Sequence, residues 1–457
     1  MARGDLRLEA NALVNEPRFR WATYQLNSLG NCRTVRDIKL CLESLPTGLD
    51  ETYERILATI CPSDVPLVQR MLMWLAISAV PITLPQLWEA LAIEKGKDHI
   101  DNEARLRSPQ DILALGKGLV VISSDGSIAL AHLSVRDYLE SPKIRQNDMT
   151  ARFALHCGVG HRELAEHCLT YLLSSHLTSG PSNSQEEYLA RLKQFPLLSY
   201  ASRYWFYHSG LAESDEKLQL LITRFFSPET RPSFMSWVQV LNADVPFKWD
   251  IYPQHATSLY YASSLGLEDS VNSLLHLGVS DISSPGSRFG GTALHAATIR
   301  DHVSVVKKLL DAGAEPGKPD FNGVTPLHSA ASQGSLHVVR LLLEYGAPTD
   351  ARDGMEGRTP YEWARLSCQD EVAELIEHGV TGSGLYDEGP PTTADSRKTQ
   401  QATGIWQPKA GYFPSYYEHR SGMDSSAILR IEIGKEVLHS DGEYSPLTDG
   451  GPSSPVW

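Results

Sequence analysis

Between residues 257 and 380, apolar and polar positions recur in blocks of nearly constant length. Thr257, Thr292, Thr325 and Thr359 head these blocks, at spacings of 35, 33 and 34 residues. An apolar residue follows each threonine at fourteen residues (Val271, Val306, Val339, Ala373) and another at seventeen (Leu274, Leu309, Leu342, Ile376). Apolar positions three apart share one face of a helix, so each block predicts a helix with one buried stripe. Gly278, Gly313 and Gly346 fall twenty-one residues after the threonine and Gly379 twenty, where a left-handed residue would end that helix. A shorter helix precedes it. Gly291-Thr292-Ala293-Leu294-His295-Ala296-Ala297 aligns with Val324-Thr325-Pro326-Leu327-His328-Ser329-Ala330-Ala331. The threonines, Thr359 among them, supply a side-chain cap, and Pro326 and Pro360 preset φ in the first turn.

A period near 33 with T-P-L-H-x-A resembles ankyrin repeats, whose stacks need about three units; here there are four, best formed at 290–322 and 323–355. The resemblance implies that His295 and His328 hydrogen-bond the threonine hydroxyls and stitch neighbouring repeats. Leu294 and Leu327 complete the motif. Tyr260 replaces the histidine in the first block and Glu362 in the last, which also carries Arg365, Gln369, Asp370 and Glu371. Such polar outer faces suit the ends of a stack.

The N-terminal half reads differently. Leu45-Pro46-Thr47-Gly48-Leu49-Asp50-Glu51 opens a helix, its acids at the positive end. Leu67–Ala79 is almost wholly apolar and predicts a buried helix. Pro85–Ile93 predicts a third. Runs at 118–123 and 127–131 flank Asp125-Gly126, a hairpin signal, and His132–Leu139 predicts a short helix. Three helices followed by a hairpin is the order of a winged helix. Phe19-Arg20-Trp21-Ala22 with Gln25-Leu26 resembles the end of a NACHT nucleotide-binding domain of fungal NLR-like proteins. "LPxxLDETYxRIL" and "HLSVRDYL" resemble the winged helix that follows it, named after GPI inositol-deacylase; the likeness covers roughly 19–145. The expected architecture is mainly α: a NACHT-like remnant (1–45), a winged-helix domain (46–145), a helical connector (146–250), an ankyrin-repeat solenoid (251–380) and a disordered C-terminal tail (381–457). In the connector, Arg162–Ala165 and Cys168–Leu172 predict one amphipathic helix, and Tyr200–Trp205 continues the family pattern. The tail draws 27 of its 77 residues from Gly, Pro and Ser, and Ile428–Leu438 is its one stretch expected to order locally.

Composition narrows the chemistry. The net charge is −14, from 55 acidic against 41 basic residues, which argues against nucleic acid or an anionic membrane as partner. The longest apolar stretch, Met71–Ile82, is shorter than the roughly 20 residues of a membrane span, and Met1–Arg7 does not open like a signal peptide. Six cysteines without a C-x-x-C pair fit a reducing compartment, so a cytoplasmic location is expected. NACHT domains hold nucleotide through G-x-x-x-x-G-K-[ST]; no such string is present, and no cofactor is expected. Nor is there a G-x-S-x-G esterase elbow. His156, Cys157, His161, His167, Cys168 and His176 crowd one region, but their spacing matches no zinc motif, so no metal is expected. If Pro85–Glu94 were a DNA-reading helix, it would bring two acids and no base, and residues 50–145 hold 10 basic against 13 acidic residues.

What remains is recognition. The turns between blocks place Arg288, Phe289, Asp320, Phe321, Asn322, Arg352, Asp353, Met355 and Glu356 at the tips of a stack, with Ile299, Arg300, Ser332 and Gln333 at the first-helix exits. Exposed aromatic residues and methionine beside charge suit a protein partner, while Asp and Asn there are also ordinary turn formers. No catalytic residue is assigned. The sequence therefore predicts a non-enzymatic interaction protein, and the resemblance implies that it is the sensor and relay part of an NLR-like signalling protein. Two alternatives stay open: the C-terminal part of an ATP-driven NTPase whose P-loop domain is missing, and a winged-helix DNA-binding regulator.

Overall fold

A computed structural model describes residues 33–43, 48–93, 105–123, 126–242, 253–278 and 282–379, with positions 46, 100 and 103. Segment 381–457 and its stretch Ile428–Leu438 lie outside the described residues, as do Phe19–Leu26. Helix α1 (Val35–Glu43) begins where Thr34 and Asp37 cap each other.

Helix α2 (Leu49–Ala58) turns Tyr53 and Leu57 inward. Pro66 sits in the first turn of α3 (Val65–Ile77), which is buried along most of its length by Val68, Met71, Leu72, Trp74 and Ile77. Strand β1 (Ile82–Thr83) runs into α4 (Leu84–Ala90) through a capping box between Thr83 and Gln86. Strands β2 (Val120–Ile122) and β3 (Ser127–Leu130) form the expected hairpin, turned at Gly126 with φ 81°. The sheet order is β1-β3-β2, antiparallel throughout, with Ile82 opposite Ile128 and Val120 opposite Leu130.

One expectation changes here. Pro85–Ile93 is not the helix that leads into the hairpin. A five-residue helix, α5 (Asp111–Leu115), stands between them. It buries Ile112 only and is too short to show a periodic signal. Asp111 starts it and it contains no base, so the charge argument moves to a different helix without changing sign. After α6 (Leu133–Glu140), Lys143 pairs with Asp50, and packing onto α2 continues past residue 145: Asn147 donates to Glu54, and α7 (Asp148–Ala151) lies against α2.

The connector is built around α8 (Cys157–Leu172). It is buried continuously from Leu164 to Leu172 rather than along one stripe as expected, because α3 and, from the connector, Leu198–Leu211 and Glu216–Phe226 all pack on it. Ser184 caps α9 (Gln185–Gln194), α10 spans Leu198–Leu211, Asp215 caps α11 (Glu216–Phe226), and α12 spans Arg231–Asn242. Trp205, Phe225, Phe226, Phe234 and Trp237 form an aromatic cluster in which Trp205 and Trp237 lie 6.3 Å apart, centre to centre. It reaches Tyr261 of the next helix, whose ring lies 5.6 Å from Phe234 and 5.3 Å from Trp237. Asn242 also donates to the Tyr261 hydroxyl at 3.0 Å.

The four sequence blocks form four helix pairs: α13 (Ser258–Ser264) with α14 (Glu268–His276), α15 (Ala293–Ile299) with α16 (Val303–Asp311), α17 (Pro326–Gln333) with α18 (Leu336–Glu344), and α19 (Pro360–Leu366) with α20 (Asp370–His378). Val271, Val306, Val339 and Ala373 are buried, as are Leu274, Leu309, Leu342 and Ile376. Apolar burial at about 25 cal/mol per Å2 drives such stacking.

Candidate functional site

The threonine at each block head begins its helix. The Thr292 amide donates to His295 Nδ1 at 3.1 Å, which makes that nitrogen the acceptor and leaves the proton on Nε2. Nε2 then donates to the Val324 carbonyl of the next block at 3.0 Å. His328 repeats the arrangement: the Thr325 amide donates to its Nδ1 at 3.2 Å, and its Nε2 donates to the Arg358 carbonyl at 3.0 Å. Each imidazole thus caps its own helix and holds the following loop. Burial pushes both histidines below their ordinary pKa, so both stay neutral.

At the ends of the stack this pattern gives way. Tyr260 sits against Gly286, in the loop that leads to the second block, so closely that a Cβ there would come within 2.3 Å of it. Burial raises its phenol to about 12. In the last block the Thr359 amide donates to Glu362 at 2.7 Å, which caps the helix and reaches no further repeat among the described residues. That bond holds the Glu362 carboxyl below its usual range.

The connecting loops stand beside one another as fingers. Gly290, Gly323 and Gly357 turn them with φ of 81°, 74° and 67°. Backbone bonds join successive fingers: the Phe321 amide donates to the Phe289 carbonyl at 2.9 Å, and the Gly354 amide to the Asn322 carbonyl at 2.7 Å. Phe321 is 70% exposed and Met355 48%. The Phe321 ring rests on Gly290, where a Cβ would lie 2.5 Å from it, so one face of the ring is seated and the other is open. Arg288 stacks 4.9 Å over the half-buried Phe289.

The expected tip residues divide into two groups. Arg288, Phe321, Arg352, Met355 and Glu356 are exposed. Asp353 is not available to a partner: it is 5% exposed. Its Oδ1 accepts the amides of Met355, Glu356 and Gly357, and its Oδ2 accepts the Trp363 indole N–H at 2.7 Å. A finger that must turn over five residues leaves three amides pointing inward, and Asp353 satisfies all of them. Asp320 does the same on a smaller scale for Asn322 and Val324. The exits are half-buried at Ile299, Arg300 and Ser332 and exposed at Gln333; Ser332 meets Ser367 of the next block at 3.0 Å. The structure therefore gathers the finger tips into one edge and leaves Ser332 as an inter-repeat contact.

Two residues went unsuspected in the sequence. His302 Nε2 lies 3.1 Å from the Ser264 carbonyl, reaching back across Gly266 to the preceding repeat. Trp363, besides holding Asp353, packs edge-on at 5.4 Å to His328. Away from the stack, the histidines of α8 serve packing. His161 Nδ1 lies 2.8 Å from His208 Nδ1, and His167 accepts the Trp74 indole N–H at 3.2 Å. Among the described residues no three His, Cys, Asp or Glu side chains converge as a metal ion would require, and no helix is long and apolar enough to cross a membrane.

The profile described as "Ankyrin repeats (3 copies)" matches twice, over residues 259–353 and 294–382. That described as "GPI inositol-deacylase, winged helix domain" matches residues 51–156. The chain carries ankyrin repeats and a winged helix of the GPI inositol-deacylase type. The two overlapping three-repeat windows correspond to the four helix pairs, and the winged-helix match includes α7 and the packing past residue 145. The ankyrin-repeat chain is also similar to "Azaphilone pigments biosynthesis cluster protein L" of Monascus ruber, at 33% identity over 320 residues. The match takes in 65% of this chain and 66% of that protein, so the chain spans just under two thirds of its relative.

Proposed function

We propose that this chain is a non-enzymatic interaction protein, the sensor and relay part of an NLR-like signalling protein, which takes a protein partner on the finger edge of its ankyrin repeats. The observation that carries this reading is the edge itself. Phe321 and Met355 are exposed on successive fingers, while the polar groups that shape the fingers are satisfied within them. An apolar group held outward on a rigid support is what a binding hot spot requires. The relay role is supported by unbroken packing: stack to connector through Tyr261 and Trp237, connector to winged helix through His167 and Trp74. The relative's name adds a setting, a biosynthesis cluster, in which such a protein could work.

In this reading the protein is cytoplasmic, needs no cofactor and touches neither nucleic acid nor membrane. The short α5 helix, acidic and without a base, opposes a DNA-binding role. The NTPase alternative rests on the NACHT-like strings near the N-terminus and would require a P-loop, which residues 1–457 do not contain. The test is cross-linking mass spectrometry in the host cell with the native chain and a Phe321→Ser/Met355→Ser variant. Cross-links from residues 286–358 to a reproducible partner, lost in the variant, are expected. An unchanged partner set, or ester or nucleotide hydrolysis by the purified chain, would overturn the proposal.

A further inference from the structure

We infer that the finger edge selects an acidic, apolar-containing protein segment, in a protein whose overall charge is itself −14. This inference rests on the reading of that edge as the partner surface and adds the partner's chemistry. The reason lies in which charges the fingers consume. Asp320 and Asp353 turn inward onto loop amides, the second with three amides and an indole N–H bound. Glu356 is paired with Arg358. The carboxylates of the tips are therefore engaged within the fingers.

The cations behave differently. Arg288 is exposed and lies flat over Phe289, and Arg352 is exposed and gives one N–H to the Gly357 carbonyl at 2.6 Å. A guanidinium has five N–H donors, so both keep donors for a carboxylate. The tips thus combine outward cations with two outward apolar groups, Phe321 and Met355. A segment that alternates Asp or Glu with bulky apolar residues matches both features. A basic segment would meet like charge, and a purely apolar one would leave the guanidinium groups without a partner. Because Phe321 is already seated on Gly290, little ordering of the surface is needed on binding.

The experiment is display selection of random 16-residue peptides on the full-length chain, followed by affinity measurement of the enriched peptides at low and high salt. The expected peptides are enriched in Asp and Glu beside Phe, Leu or Ile. Their binding should weaken roughly tenfold or more with Arg288→Glu/Arg352→Glu, survive in Arg288→Lys/Arg352→Lys, weaken similarly with Phe321→Ser/Met355→Ser, and fall with salt. Peptides that need Phe321 and Met355 but show no acidic bias overturn this inference and leave the partner surface standing. Peptides that bind the apolar-edge variant as well as the native chain overturn both. A selection that enriches nothing overturns the inference.

Discussion

The repeat stack and the junction between winged helix and connector both bury histidines as cross-links, yet they build them in opposite ways. In the stack His295 and His328 each stand three residues after a threonine and reach the next block with their second nitrogen. One local rule, repeated, gives a long-range structure. In the junction the partners come from distant parts of the chain: His161 and His208 are 47 residues apart, Trp74 and His167 93 apart, and Ala79 and Tyr200 121 apart. The Nδ1–Nδ1 contact needs one imidazole to donate and the other to accept, which fails once both are protonated. Burial pushes His161 down to about 4 and His208 to about 3. Periodic contacts make the stack extendable, whereas non-local ones make the junction a single, specific fit.

The largest effect is expected where the two regions share a core. Trp237 is 1% exposed and touches the connector aromatics and Tyr261 together. Trp237→Ala should cost about 3–5 kcal/mol, the range for a fully buried aromatic. Urea unfolding would measure it, and amide exchange would show protection lost in α13 to α16 as well as in α12. Repeats that keep their native protection would show that the stack does not depend on the connector.

His328→Ala comes next. It removes the bond to the Arg358 carbonyl and leaves the Thr325 amide without its acceptor, for roughly 2–3 kcal/mol. His208→Phe, which strands His161 Nδ1 and leaves the Tyr200 hydroxyl its bond from the Ala79 amide, should cost about 1–2 kcal/mol. The stack variant should open α19 and α20 locally, while the junction variant loosens α3 against α8 and α10. Amide exchange that reports the same region for both would erase the distinction drawn between them.

Acid should weaken both regions. Every histidine in question has a folded pKa below its ordinary value, so the fold prefers the neutral form. Their contribution is complete above about pH 6.5 and is lost as pH falls below it, since the unfolded chain then takes up protons that the fold does not. His161 and His208, pushed furthest down by burial, should contribute most to that loss. Thermal midpoints should therefore fall steadily from pH 7 to pH 5, and a flat profile would contradict neutral buried imidazoles.

The same contrast explains what could be read before the fold was seen. The resemblance to ankyrin repeats implied the role of His295 and His328, while the helix pairs and the threonine caps were legible because the information lies within one block and recurs. Phe321 and Met355 were legible as tip residues for the same reason. Asp353 was not: an aspartate at a turn looks alike whether it faces water or binds three amides, and its burial depends on Trp363 ten residues away. Helix α5 escaped because five residues hold little more than one turn, and the continuous burial of α8 because several helices distant in sequence pack on it. Contacts that depend on chain neighbours leave a pattern; those that depend on distant segments do not.

The smallest expected effect tests how strictly the repeat rule is kept. The first helix of each pair ends on a left-handed residue: Gly266 at φ 68°, Asp301 at 57°, Gly334 at 79° and Cys368 at 58°. Glycine takes this conformation without strain, whereas a residue with a Cβ is held there at about 1 kcal/mol. At Gly334 a Cβ would also meet the end of the Gln369 side chain at 2.3 Å, which would have to turn aside, so the positive φ is the main reason for glycine there. Asp301→Gly and Cys368→Gly should each stabilise the stack, by about 0.5 kcal/mol once the greater freedom of glycine in the unfolded chain is subtracted. The gain should be additive in the double variant, because the two sites lie in different repeats. Gly334→Ala, the reverse change, should destabilise by more than either gain. A loss of stability in Cys368→Gly would mean that the cysteine makes a contact worth more than the strain it bears.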